Sequence, residues 1–197
     1  MIPTKMTPKT YFADVISKIT IPGLTITIFF LYLWMVNPAV FKLLPFTLSI
    51  LLLGILPVVA TLIGSRKAGE GGGVHISSRS GRTLPYIISL AGSLLCFVVL
   101  LLLGGSGVYV FISGSFVVST IILLLVNFLT KVSVHMCAVS AVAALCLCLT
   151  GAWSIPFLIL MVLVFWSRLS LGKHTWQQLV LGMIIGFVTP LCLCFIL

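Results

Sequence analysis

TLPYIISLAGSLLCFVVLLLLGGSGVYVFISGSFVVSTIILLLVNFL, residues 83–129, decides the class of fold. It holds two apolar runs, Thr83–Leu103 and Val108–Leu129, with no charged side chain in either. Gly104-Gly105-Ser106-Gly107 turns the chain between them. Runs of about 20 apolar residues match a hydrocarbon core of about 30 Å, so the stretch reads as a hairpin of two membrane-spanning helices.

Working outward, the same pattern repeats. Towards the N-terminus lie Phe46–Ile63, with a bend expected at Pro57, and Ile19–Val36, stopped by Asn37-Pro38. Towards the C-terminus a fifth run opens at Lys131–His135 and continues to Thr150. Ser154–Trp166 is a shorter sixth, and Trp176–Ile196 a seventh, with Gly182-x-x-x-Gly186 for close helix contact. Ser65–Arg82, carrying Gly71-Gly72-Gly73, is the one extended polar loop. Because the first and sixth runs are short, the expectation is an all-α, multi-pass transmembrane helical bundle of six or seven spans. Residues 1–18 form an amphipathic, lysine-bearing N-terminal segment, and residues 19–197 one transmembrane domain.

Composition agrees. Of 197 residues 61% are hydrophobic and 7% charged, with a mean hydropathy of +1.35. A soluble domain of this length could not hide so much apolar surface. The net charge of +9 sets eleven basic residues against Asp14 and Glu70 alone. In short loops beside a bilayer, those cations point to membrane lipids or a phosphorylated lipid as partners, and not to nucleic acid. No cleavable signal peptide is evident, and a bacterial cytoplasmic (inner) membrane is the expected location. Lys5, Lys9, Lys18, Arg66, Lys67 and Arg79 share one face while Lys42 lies opposite, which puts that face in the cytoplasm by the positive-inside rule. The six cysteines fall in or at the ends of apolar runs and read as buried free thiols; their spacing suits no zinc site.

Against this background the polar pairs stand out. Ser133-x-His135 opens the fifth run, and Ser167-Arg168 precedes His174 across the break between the sixth and seventh. An ionisable group at the centre of a spanning helix costs roughly 2.5–3.5 kcal/mol on insertion scales and is usually kept for function. Two spans separate the Ser65–Arg82 loop from His135, and two more separate His135 from His174, so all three clusters reach one membrane face. A single site there can collect Arg82, Ser133, His135, Arg168 and His174. Plainer roles compete: Lys131, Arg79 and Lys173 as interfacial anchors, Ser133 as a helix N-cap, His75 as a solvated loop residue.

Those residues carry a resemblance. Ser167-Arg168-x5-His174 is similar to the third signature of the type 2 phosphatidic acid phosphatase superfamily, which also includes vanadium haloperoxidases. Lys131-Val132-Ser133-Val134-His135 resembles the second, usually Pro-Ser-Gly-His, with valines for proline and glycine. The first signature, Lys-x6-Arg-Pro, is represented by Arg82, with His75 in the lysine place and Thr83 in the proline place. The order of the three is right, and the resemblance spans about Ser65 to Gly186.

The resemblance implies an integral membrane lipid phosphatase acting on a phosphomonoester or diphosphate of a lipid, without metal or other cofactor. Polyprenyl diphosphate, phosphatidylglycerophosphate, phosphatidate and lipid A phosphate are the candidate substrates. His174 would be the nucleophile, forming a phosphohistidine, and His135 the general acid and then base. Arg82 and Arg168 would clamp the phosphate oxygens, assisted by Ser133, Lys131 and His75. The family's aspartate, which holds the nucleophilic imidazole, falls here on Gln178. An amide can accept the imidazole N–H but offers no charge to an imidazolium. That departure keeps a non-catalytic lipid-phosphate binder or transporter in view, with a pore or structural bundle as a third reading.

Overall fold

A computed structural model describes residues 7–70, 76, 78–104 and 106–196. Every regular element among them is helical. In chain order these are α1 (Pro8–Ile19), α2 (Pro22–Val36), α3 (Leu43–Ser49), a π-helical turn (Ile50–Ile55), α4 (Leu56–Lys67), α5 (Thr83–Leu102), α6 (Gly107–Asn127), α7 (Val134–Thr150), α8 (Ile155–Ser170) and α9 (Trp176–Ile196). Short 3-10 turns cover Pro38–Val40, Ser80–Arg82 and Gly151–Ser154.

Five continuous helical stretches are long and apolar enough to cross a membrane, and α1 with α2, bent by 66°, makes a sixth. One of the five, Val134–Ser170, is not a single rod. As a straight helix it would set His135 and Arg168 about 50 Å apart at 1.5 Å per residue, yet both line one cleft. The chain doubles back at Gly151, whose φ of +57° suits glycine, so α7 and α8 run antiparallel. Taken as two passes, this stretch brings the count to seven.

Several boundaries differ from the sequence reading, each for a local reason. The expected first span, Ile19–Val36, breaks after Thr20, because Pro22 starts a new helix at its first turn. The residues ahead of it form α1, capped by the Thr7 side chain, which accepts from the Thr10 N–H. The second span extends over Leu43–Lys67, with a π-helical turn, Ile50–Ile55, directly ahead of Pro57. The π turn just before it, where the Leu56 N–H reaches back to the Leu51 carbonyl, opens the ladder that a proline ring would otherwise crowd. The sixth helix runs on to Ser170, so Ser167 and Arg168 sit in the last turn of α8 and not in a loop. The cysteines are free, as read, but Cys192 is exposed on the outer surface and Cys148 and Cys194 are half-buried.

Helix α7 is the centre of the bundle. Every residue from His135 to Cys146 is buried, and most are Ala, Val, Ser or Cys, so neighbouring backbones approach closely. The tightest approach is to α9. A Cβ on Gly182 would lie 2.6 Å from the Ser133 carbonyl oxygen, and one on Gly186 would lie 2.1 Å from that of Cys137. Both neighbours are backbone atoms and cannot rotate away. The side chains that meet the hydrocarbon are the leucines, isoleucines and valines of the outer helix faces, among them Leu95, Leu125, Ile159 and Ile184.

This contact gives the first expected outcome. Gly186→Ala must push α9 off α7, displacing His174 relative to His135. The variant should melt earlier than the wild type, as a thermal melt in detergent would register. A wild-type melting temperature in Gly186→Ala would mean that the close α7–α9 approach does not hold the bundle.

Candidate phosphate site

Three segments remote in sequence converge at the end of the bundle where α7 and α9 begin and α8 ends. Arg82, His135, Arg168 and His174 all line one cleft of about 720 Å³. All four are buried, with relative exposures of 8%, 6%, 3% and 6%. The parity argument from sequence thus has its geometric counterpart: the three clusters reach one face and one cavity. The rest of the wall comes from the start of α2, from α4 and from α5, with Thr61, Tyr86 and Ser89 as its polar members.

Each side chain is held by an identifiable local cause. The Ser133 hydroxyl caps α7 by accepting from the Met136 N–H at 3.4 Å. This sets His135 in the first turn of a helix whose N-terminus favours negative charge. The Ser133 N–H meanwhile donates to the backbone carbonyl of Gln178 at 3.3 Å, tying the second cluster to the third. Ser133 is completely buried and absent from the cleft wall, so it builds the site as a cap and a tie. Its backbone N–H is not available to a phosphate.

Arg82 is likewise an organiser. Its Nε and Nη2 both donate to the Ile76 carbonyl, at 3.0 and 2.7 Å, and its Nη1 donates to the Val132 carbonyl at 2.9 Å. These bonds pin the polar loop to the segment ahead of α7. A guanidinium carries five N–H donors, so two remain for an anion. Arg168 is much less committed. Nη1 donates to the Ser17 hydroxyl at 2.6 Å, and Nε, fully buried, has no hydrogen-bond partner among the described residues. Neither arginine forms a salt bridge there; among the described residues the one ion pair is Lys18 with Asp14.

Gln178 does for His174 what an acid would do in geometry, though not in charge. Its Oε1 lies 3.2 Å from His174 Nδ1 and accepts the Thr175 N–H at 3.3 Å. The Gln178 N–H in turn donates to the Thr175 hydroxyl at 3.4 Å, which completes a reciprocal capping box at the start of α9. A backbone N–H can only donate, so the atom facing it must be the amide oxygen. The same oxygen faces His174, and Nδ1 must therefore carry the proton. The tautomer is fixed, and Nε2 keeps its lone pair. The Thr175-x-x-Gln178 pattern ahead of an apolar run is the sequence signal of this arrangement.

The site's electrostatics are strongly positive. His174 is pushed down to about 3, first by burial and then by the nearby Arg168 and Arg82 cations; the Gln178 hydrogen bond opposes them, and Lys131 adds to the lowering. Lys131 is itself lowered, first by burial and then by repulsion from Arg82, Arg168 and Lys173, with Glu70 acting the other way. Lys131 does not line the cleft but contributes to its field. Glu70 is turned to its own loop, where its Oε1 accepts the Ser78 N–H at 3.0 Å. His75 lies outside the described residues.

The sign of the His174 shift makes an expectation about pH. With its pKa lowered to about 3 the imidazole is neutral at ordinary pH, so any reaction at this site would draw no acid limb from this residue. In Gln178→Asp a carboxylate joins Nδ1, the His174 pKa rises, and an acid limb should move up into the measurable range. Turnover above that limb should be preserved or raised. A pH–rate profile reads both effects, and a collapse of turnover at every pH would contradict the Nδ1–Oε1 geometry.

Comparisons with protein-family models, with curated proteins and with solved structures return no match to this chain.

Proposed function

We propose that this multi-pass membrane protein is a metal-independent lipid phosphate phosphatase that works through a phosphohistidine on His174. The observation that carries the reading is the pair of buried guanidinium groups, without a carboxylate ion pair among the described residues, beside two imidazoles in one cleft. A buried cation without a counter-ion is expensive. A phosphate dianion supplies the missing charge and accepts the unused N–H donors of Arg168 and Arg82 bidentately.

The proposed chemistry follows from the held tautomer. The Nε2 lone pair of His174 attacks phosphorus, the P–N bond forms, and the P–O bond to the lipid breaks. The leaving oxygen takes its proton from His135. In the second half, His135 accepts a proton from water as the water oxygen attacks phosphorus; the P–N bond breaks and inorganic phosphate leaves. The arginines meet the charge that spreads over the equatorial oxygens, which is the largest demand of phosphoryl transfer.

A lipid is favoured over a soluble phosphate ester because a second, apolar cavity of about 580 Å³ adjoins the first. The two share Pro22, Pro57, Tyr86, Ser89 and Val134, and the second continues between α2, α5, α6 and α7 towards Phe116 and Leu123. A phosphate at the arginines leaves its hydrocarbon tail beside that wall. The charge-free amide of Gln178 is the one feature that favours a non-catalytic lipid-phosphate binder or transporter instead. Purified protein in detergent with excess chelator should release inorganic phosphate from at least one lipid phosphate in a panel of polyprenyl, glycerolipid and lipid A phosphates. Binding of these lipids without any release would select the binder.

A further inference from the structure

Helix α1 is bent by 66° from α2, and two of its positions reach the phosphate site. Ser167 Oγ donates to the Ala13 carbonyl at 2.6 Å, and Arg168 Nη1 donates to the Ser17 hydroxyl at 2.6 Å. Ala13 and Ser17 are one helical turn apart on α1, while Ser167 and Arg168 are consecutive on α8. The result is a two-point clamp between the helices. Ala13, Ile16 and Ser17 are the buried residues of α1, and Ile16 packs in one cluster with Met136, Val139, Val164 and Leu179. Met136 follows His135 in α7, and Leu179 follows Gln178 in α9. The inner face of α1 therefore closes the end of the bundle where the two imidazoles sit.

We propose that Ser17 is a positioning residue for the phosphate site: its hydroxyl holds the Arg168 guanidinium in the orientation that meets the phosphate. The inference rests on the lipid-phosphate reading and adds the N-terminal helix to the site. Arg168 gives the clearest reason. Its side chain is almost fully buried, and the Ser17 hydroxyl is the one hydrogen-bond acceptor it meets among the described residues. With that acceptor removed, no other described group fixes which way the planar fork turns before the phosphate arrives. Orientation matters for a guanidinium because two parallel N–H bonds to a phosphate need one particular plane.

The outer face of α1 shows where this clamp is supported. Tyr11 and Phe12 are 63% and 55% exposed, and the Phe12 ring meets Trp166 at 6.0 Å, one residue before Ser167. With Lys9 and Lys18 on the same helix, this is the make-up of a segment lying in a bilayer interface, aromatic rings at the headgroup level and lysines in water. The 66° bend to α2 lets α1 lie across the bundle end, and the residues of the bend, Ile21, Pro22 and Gly23, form part of the cleft wall.

The test separates positioning from packing and does not depend on turnover. Orthovanadate, a phosphate analogue, is titrated into the full-length protein by calorimetry, with thermal melts on the same samples. Ser17→Ala, which removes one oxygen atom, should weaken orthovanadate binding about tenfold, the loss expected for one hydrogen bond to a charged group. Ser17→Thr, which keeps the hydroxyl, should bind as the wild type does. Where a lipid substrate is turned over, Ser17→Ala should lower kcat/KM by a similar factor. Wild-type affinity in Ser17→Ala overturns the proposal while leaving the phosphate site standing. Equal weakening in both variants with lowered melting temperatures also overturns it, because packing then explains the effect. No orthovanadate binding by the wild type overturns the lipid-phosphate reading itself, and this proposal with it.

Discussion

His174→Ala should abolish phosphate release, lowering turnover at least ten-thousandfold in metal-free assays of the best lipid substrate. The expectation is large because the proposed reaction puts the covalent intermediate on this residue, and removal of a nucleophile leaves only what binding and electrostatics provide. The structure gives His174 the three properties that this role needs. It is neutral, since burial and the neighbouring arginines keep its pKa near 3. It is in one tautomer, since the Gln178 amide oxygen holds Nδ1–H. It lines the cleft that also holds Arg82, Arg168 and His135. His174→Ala should still bind orthovanadate, weakened but measurable, because the guanidinium groups remain. A variant that keeps more than one hundredth of wild-type turnover would remove His174 from the reaction.

Arg168→Met should separate catalysis from stability in opposite directions. Methionine keeps much of the buried volume and removes the charge. An arginine that meets the developing charge of phosphoryl transfer is worth about a thousandfold or more, so kcat/KM should fall by that order. The melting temperature should hold or rise, because a buried cation without a carboxylate partner is a cost in the empty protein, and its replacement by an apolar side chain is often neutral or stabilising. A structural arginine behaves the other way, with activity following stability downwards. Arg168→Lys, which restores a point charge without the planar fork, should fall between the two in activity.

How much of this could be read from the residues alone depends on the kind of interaction. Hydrophobic burial is a composition signal summed over about 20 residues, so the spanning helices and the Gly104 turn were legible. Helix parity then places Arg82, His135 and His174 at one face without any coordinates. The N-cap role of Ser133 was legible too, since serine ahead of an apolar run is a local pattern. Hydrogen bonds that cross the bundle leave no such pattern. Nothing near Ser17 in sequence points to Arg168, 151 residues away. The bonds from Arg82 to the Ile76 and Val132 carbonyls depend on loop conformation and not on residue type. The break before Pro22 is marked in sequence only by Pro22-Gly23, which hydropathy averaged over Ile19–Val36 passes over, because it does not register a change of direction. The π turn ahead of Pro57 was hidden for the same reason.

The Gln178 amide shows the middle case. From sequence it is a departure from an aspartate and a reason to doubt catalysis. In the structure the same oxygen serves the capping box and the imidazole at once, so the terminus of α9 beside His174 also sets the imidazole tautomer. The amide keeps the orienting half of an aspartate's role and gives up the charged half. Burial first, and then Arg168 and Arg82, lowers the His174 pKa and keeps Nε2 unprotonated, whereas a carboxylate at position 178 would act the other way.

Rapid quenching of the purified protein into alkali during turnover of a 32P-labelled lipid phosphate tests the central claim most directly. The account predicts an alkali-stable, acid-labile phosphoryl group on a single peptide, linked to Nε2 of His174 and absent from His174→Ala. Release of phosphate with no labelled protein at any quench time, or label on a different residue, would contradict it.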